Sequence, residues 1–344
     1  MNIFFSSLTR ISDLPDVSFS IEPLPREQWG RGDYVVGEVM TRSSPNAHVE
    51  LRDGRMTDLV RGDRVVGALG VRIATLEVVG DWRAIGDDGR MQALTAAGLL
   101  GSVTSMSTEI GPLLELDYEG HVWVDGGKAT MTDYVEHVPD MPFELPVVMV
   151  VGTSMSAGKT TTARILIRIL KEMGARVVGA KMTGAGRHRD ILAMQDAGAD
   201  YVFDFVDQGL PSTACSPDEY RPACRQLMSR IAAVEADVAV IEVGASPVEP
   251  YNSDLAIGEI ADNIRATVLC VADPYAVLGV TSAFKIEPDL VTGVATSTDA
   301  GTGLITRLSG FEAVNALSAD SWPVLRGVLA RKLKATSGWS VPTR

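Results

Sequence analysis

Gly152, Gly158, Lys159 and Thr160 fall in the stretch LPVVMVVGTSMSAGKTTTARILIRILKEMG, residues 145–174, in the order of a chain that grips phosphate. Where a glycine-bounded loop opens a helix, successive backbone N–H groups converge on a phosphate. A lysine at the end of the loop reaches the outer phosphates, and a following threonine hydroxyl is placed to bind Mg²⁺. The residues offered to a nucleotide are Gly152, Thr153, Ser156, Ala157, Gly158, Lys159, Thr160 and Thr161. The usual pattern puts four residues between the glycines, whereas Gly152 and Gly158 enclose five. The plain alternative is a Gly/Ser-rich turn between strand and helix with an exposed lysine.

Such a loop needs a strand before it and a helix after it. Val147–Val151 is a β-branched apolar run suited to a buried parallel strand, and 160–173 carries apolar residues at helical spacing before Gly174. From Pro146 onward strand-like runs alternate with helical ones, at 147–151, 176–180, 201–205, 238–243, 267–272, 290–295 and 313–317, closed by a last helix over 322–334. This pattern predicts an α/β fold with a mostly parallel, doubly wound sheet, over about residues 146–335. Ligands of such sheets bind beyond the carboxyl ends of the strands, so the polar residues there are the candidates. They are Lys181 and Asp190 after the second strand, Glu242 at the end of DVAVIE, and Asp273 after the fifth. Glu242 is a candidate Mg²⁺ ligand with Thr160, or a strand-end acid accepting backbone N–H groups. Asp190 fits a metal ligand and the N-cap of the helix in GRHRDILAMQDAG equally well.

The loop GTSMSAGKT, followed by TTA, is similar to that of dethiobiotin synthetase and the cobyrinic acid a,c-diamide synthase group. RVVGAKMTGAG resembles the lysine-bearing strand end that those enzymes place beside the phosphates. The resemblance covers residues 145–330 and implies ATP and Mg²⁺ as cofactors, Lys181 as a second phosphate-facing cation beside Lys159, and a homodimer. It also puts Thr296 where the family contacts its base, although the family's usual asparagine is missing. EVGASPVEPYNSD is similar to the corresponding loop of the D-glutamate N-acetyltransferase family, whose donor is acetyl-CoA.

Residues 1–140 lie outside these resemblances. Short β-branched runs broken by Gly-Asp and Asp-Gly pairs predict a small β-rich, barrel-like domain. MQALTAAGLLGSVTS, 91–105, reads as one short helix capping it, and Arg-Gly-Asp at 31–33 and 61–63 is either an internal repeat or two similar turns. Three prolines within 139–146 mark the boundary. A net charge of −13, with neither a basic stripe nor interleaved aromatics in the β region, argues against a nucleic-acid partner. Three cysteines without C-x-x-C spacing argue against a disulfide framework or structural zinc. With no membrane-length apolar run or leader-like N-terminus, the expectation is a cytoplasmic protein without a membrane partner.

These features support three functions. In the first, Mg-ATP donates its γ-phosphoryl group to a small-molecule carboxylate or carbamate, with Lys159 and Lys181 as the catalytic cations. In the second, the loop grips the phosphates of acetyl-CoA for N-acylation of an amino acid. In the third, a nucleoside triphosphate drives a switch or metallochaperone, a role for which no Cys/His cluster stands out.

Overall fold

The computed structural model describes residues 2–40, 47–247 and 249–334. The chain divides into two compact units. One is the stretch up to His137 together with Ala185–Arg189 and Phe205–Ala223; the other is Val138–Gly184, Asp190–Asp204 and the stretch from Cys224 onward.

The first unit is built on a closed barrel. Its strands are β1 (Tyr34–Val39), β2 (Arg64–Leu69), β3 (Arg90–Thr95), β4 (Leu99–Met106) and β5 (Glu115–Val124). Pairing runs β2–β1–β5–β3–β4, and a parallel contact of Leu99 with Ala68 and Leu100 with Leu69 joins β4 back to β2. Closure leaves no unpaired edge within the ring. Val35, Val39, Val65, Leu69, Met91, Leu100 and Leu116 fill the core between the strands.

Both Arg-Gly-Asp triplets are turns of one design. Asp33 Oδ2 accepts the Gly30 N–H at 2.6 Å, and Asp63 Oδ2 accepts the Val60 N–H at 2.9 Å. Gly32 and Gly62 take φ of +81° and +90°, where a Cβ is disfavoured. Each turn feeds a barrel strand, and those two strands pair antiparallel, Tyr34 opposite Ala68 and Glu38 opposite Arg64.

The helix expected over 91–105 is not formed; the segment is β3 and β4. Gly98, at φ +86°, turns the chain between them, and a Cβ there would come within 2.1 Å of Ser6 Oγ. Alanine and leucine favour a helix locally, but pairing on both sides of β4 closes the barrel and outweighs that preference.

The second unit carries six strands, β6 (Val147–Gly152), β7 (Val177–Thr183), β8 (Tyr201–Asp204), β9 (Val238–Val243), β10 (Ile264–Cys270) and β11 (Leu290–Thr292). They are all parallel, in the order β8–β7–β9–β6–β10–β11. The α/β class expected from the alternation is thus the class found. Helices α1 (Lys159–Glu172), α2 (His188–Asp196), α3 (Pro217–Ala232), α4 (Ser253–Ile260), α5 (Ala276–Phe284), α6 (Asp299–Ser309) and α7 (Trp322–Leu333) alternate with the strands. Leu166, Ile169 and Leu170 of α1 and Leu325, Val328 and Leu329 of α7 pack with Val148, Val150, Val240 and Val268 in one core. The strand expected at 313–317 is reduced to a single bridge, Ala313 to Val291, and β11 stops at Thr292 because Gly293 turns at φ +106°.

Candidate functional site

First in sequence, β6 is central in the sheet, with β9 on one side and β10 on the other, and the glycine-bounded loop leaves its carboxyl end directly into α1. Two glycines make that passage possible. Gly158 takes φ +96°, and a Cβ on Gly152 would come within 2.9 Å of the Lys159 stem. Lys159 is the first residue of α1, so its ammonium sits at the helix N-terminus, where backbone N–H groups lack helical partners. Its Nζ donates to the Ser154 carbonyl at 2.6 Å, inside the loop that it closes. Burial pulls the pKa of this lysine down, and the Glu242 carboxylate counteracts only part of the pull.

Next to the loop stands an acid. Thr160 Oγ1 donates to Glu242 Oε2 at 2.9 Å, joining the second residue of α1 to the end of β9. Glu242 is opposite Val150 on β6 and Lys181 on β7, and Lys181 is opposite Asp204 on β8. Lys181 Nζ lies 2.5 Å from Asp190 Oδ2. Burial disfavours the charge on Lys181, but Asp190 and Glu242 outweigh it and hold the ammonium above the usual lysine range. Burial pushes Glu242 above the usual carboxylate range, against the attraction of Lys181. Two lysines and three carboxylates, counting Asp204, therefore share one end of the sheet, and the balance is negative. Among the described residues, no three of the acids, histidines or cysteines are grouped so that they could hold a metal ion by themselves.

The remaining expected residues fall as follows. Thr153 Oγ1 accepts the Ala272 N–H at 3.1 Å, and the Thr153 N–H donates to the Cys270 carbonyl at 3.0 Å, so this threonine ties the loop to β10. Ala157 is buried, whereas Ser156 and Thr161 are exposed. Thr296 is fully buried, and its hydroxyl donates to the Gly293 carbonyl at 2.8 Å. Asp190 is the third residue of α2 and not its N-cap. His188 and Arg189 belong to the barrel unit. There the Arg189 N–H donates to buried Glu50 at 2.6 Å, and burial lowers His188 to about 4.

Asp204 was the residue missed. It is fully buried at the end of β8, next to Lys181 in register. The signal was present as one acid inside the apolar run YVFDFV, since an ionisable group is buried without a partner only at high cost.

No protein-family model matches the chain, and no curated protein matches it. Solved structures do resemble it distantly. Chloroplast FtsY from Physcomitrella patens is 16% identical over 57% of this chain and 70% of its own, with a TM-score of 0.37. HypB from Helicobacter pylori, in complex with nickel, is 15% identical over 57% of this chain and 92% of its own, with a TM-score of 0.38. A duf1611 family protein from Anabaena variabilis is 15% identical over 54% of this chain and 58% of its own, also at 0.38. Likeness this remote says nothing of ligand or partner.

Proposed function

We propose that the chain binds a Mg²⁺-nucleoside triphosphate and cleaves its γ-phosphoryl bond, with water as the acceptor, as an NTP-driven switch does. The observation carrying this reading is the Thr160–Glu242 bond at 2.9 Å beside Lys159 and Lys181. Hydroxyl and carboxylate stand where a phosphate-bound Mg²⁺ would take one ligand directly and one directly or through water. Lys159 would leave the Ser154 carbonyl for the outer phosphates, and Lys181 would meet charge developing on the equatorial oxygens. Ligands of the metal are Thr160 and Glu242; Asp190, held by Lys181, becomes available to it only if that pair opens.

Water is preferred to a small carboxylate as acceptor on grounds of charge. Lys181 is already matched by Asp190 and Glu242, with Asp204 beside it. A carboxylate substrate would be a fourth acid next to two lysines. The ATP-dependent carboxylate or carbamate ligase implied by the resemblance thus needs a cation beyond these residues, and acetyl-CoA as donor leaves the Thr160–Glu242 pair without a task.

The deciding measurement is phosphate release from Mg-ATP and Mg-GTP, run beside a thermal-shift series that includes acetyl-CoA. Expected are release without any added acceptor, stabilisation by Mg-nucleotide, and loss of both in Lys159→Ala. Release that appears only on adding a carboxylate or carbamate returns the ligase reading. Stabilisation by acetyl-CoA alone, indifferent to Mg²⁺, returns the acyltransferase.

A further inference from the structure

Four neighbouring strands of the second unit contribute one residue each to a row. Val150 on β6 is opposite Glu242 on β9, Glu242 is opposite Lys181 on β7, and Lys181 is opposite Asp204 on β8. Side chains alternate between the faces of a sheet, so residues in register on parallel neighbours share a face. Here it is the face under α1 and α2. Val150 packs in one core with the apolar side of α1, and Thr160 of α1 bonds Glu242. A Cβ on Gly179, two residues before Lys181, would come within 2.9 Å of Met194 on α2. The row thus runs apolar, acid, base, acid, and its ionisable members are buried, with Glu242 3% exposed, Lys181 7% and Asp204 0%.

Lys181 meets acids of two kinds. Asp190 comes from the first turn of α2, its Oδ2 2.5 Å from Lys181 Nζ, and its side chain keeps 17% exposure, so an incoming anion can compete with it. Asp204 belongs to the sheet and is fixed by the pairing of Gly179 with Val202 and Ala180 with Phe203 just before it. At ~4.8 Å between strands, Asp204 stands about 10 Å beyond Glu242 and about 14 Å from β6, out of reach of phosphate or metal held at the loop. Lys181, one strand nearer, carries its charge on a flexible four-carbon stem.

We propose that Asp204 is a positioning residue for γ-phosphoryl cleavage: it is the permanent counter-ion of Lys181, whereas Asp190 is the one that the terminal phosphate displaces. This assignment rests on the nucleotide reading above. A buried ammonium left without an anion is costly. During turnover Glu242 is committed to Mg²⁺ and Asp190 gives way, so without Asp204 the ammonium would depend on the phosphate alone. With Asp204 in the row, Lys181 has an anion behind it before the phosphate arrives, while it is bound and after it leaves. A charge aimed in advance in this way needs no rearrangement as the bond breaks.

A double-mutant cycle on the full chain tests this, reading phosphate release from Mg-ATP and Mg-GTP together with the melting temperature of the nucleotide-free protein. Asp204→Asn should lower kcat about tenfold or more while KM stays within about threefold. Added to Lys181→Met, the same change should alter kcat less than about twofold, because the group it positions is gone. Stability should reverse sign across the cycle. Asp204→Asn lowers the melting temperature of the wild type but raises that of Lys181→Met, where it removes a buried acid that has lost its cation. Wild-type kcat in Asp204→Asn, or an equal proportional loss in both backgrounds, overturns the positioning role and leaves the nucleotide reading standing. Should Asp204→Asn alone not fold, the double variant decides: it should melt above Lys181→Met, and melting at or below it overturns the assignment. A wild-type protein that releases phosphate from neither nucleotide sinks the proposed function and this role together.

Discussion

Glu242, the metal ligand we propose, would link proton, metal and fold in one carboxylate. Burial raises its pKa in the nucleotide-free protein, while Lys181 draws it down. A metal ligand must be ionised, so the proton competes with Mg²⁺, and Mg²⁺-dependent nucleotide affinity should rise as pH climbs through the raised pKa and level off above it. The same shift sets the sign for stability. A carboxyl that holds its proton more tightly folded than unfolded favours the fold at low pH, and that contribution is lost as pH rises through the folded value. Glu242→Gln should therefore flatten the pH profile of nucleotide affinity, weaken the Mg²⁺ dependence about tenfold or more, and leave the nucleotide-free protein at least as stable at pH 7. Calorimetric titrations from pH 5 to 8 in both proteins check this. A wild-type affinity independent of pH, or a variant with unchanged Mg²⁺ dependence, removes Glu242 from the metal site. The placement of Lys159, Thr160 and Glu242 at strand and loop ends was readable from sequence, because the pattern changes at each of them. Asp204 was not, because a single acid within an apolar run carries no periodicity, and its position beside Lys181 depends on which strands pair.

Among the elements, the loop after β6 and the turn after β11 support one another through backbone contact. Gly293→Ala would press a Cβ to 2.5 Å from the Ala157 carbonyl and 2.7 Å from the Val271 nitrogen, at a φ of +106°. The expected cost is about 2–3 kcal/mol, together with weakened nucleotide binding although no contact to phosphate is removed. Calorimetric unfolding and ATP titration of the variant test both effects, and an unchanged melting temperature contradicts the packing described. The strands of the second unit were legible because parallel strands buried on both faces appear as unbroken β-branched runs. The barrel's hairpin at 91–105 was misread as a helix because alanine and leucine carry the wrong local preference, and the closure that decides the matter comes from β2, about thirty residues earlier. The turns of that unit were better signposted. Each Arg-Gly-Asp triplet pairs a glycine able to take positive φ with an aspartate able to bind the N–H three residues back.

For the whole chain, the proline-rich connection at 139–146 is where we propose a protease would enter. Because Ala185–Arg189 and Phe205–Ala223 belong to the barrel unit, the two fragments should stay together under native conditions and separate only in denaturant. Arg10, for example, pairs with Asp207 at 2.9 Å across the cut. Limited proteolysis followed by gel filtration checks this, and fragments that elute apart refute it. The homodimer implied by the sequence resemblance also stands as a proposal. Light scattering should report about twice the chain mass of 36.7 kDa, and a monomer at micromolar concentration dismisses it. Among the described residues, no helix is long and apolar enough to cross a membrane.

The divided make-up of the barrel unit has a consequence for how the protein is made. A ribosome that has finished His137 has delivered every strand of the barrel, yet not the segment ending at Ala223 that completes the unit. At ~5–20 residues per second the wait lasts roughly 4–17 s. During it the nascent barrel must persist without Asp207 to neutralise Arg10 and without Arg189 to occupy Glu50. Meanwhile β6, the glycine-bounded loop, α1, β7 and β8 emerge in sequence. The amino-terminal unit begins first yet is complete only at Ala223, after three strands of the second unit have been made, so the growing chain carries an unfinished first unit while the second begins to assemble.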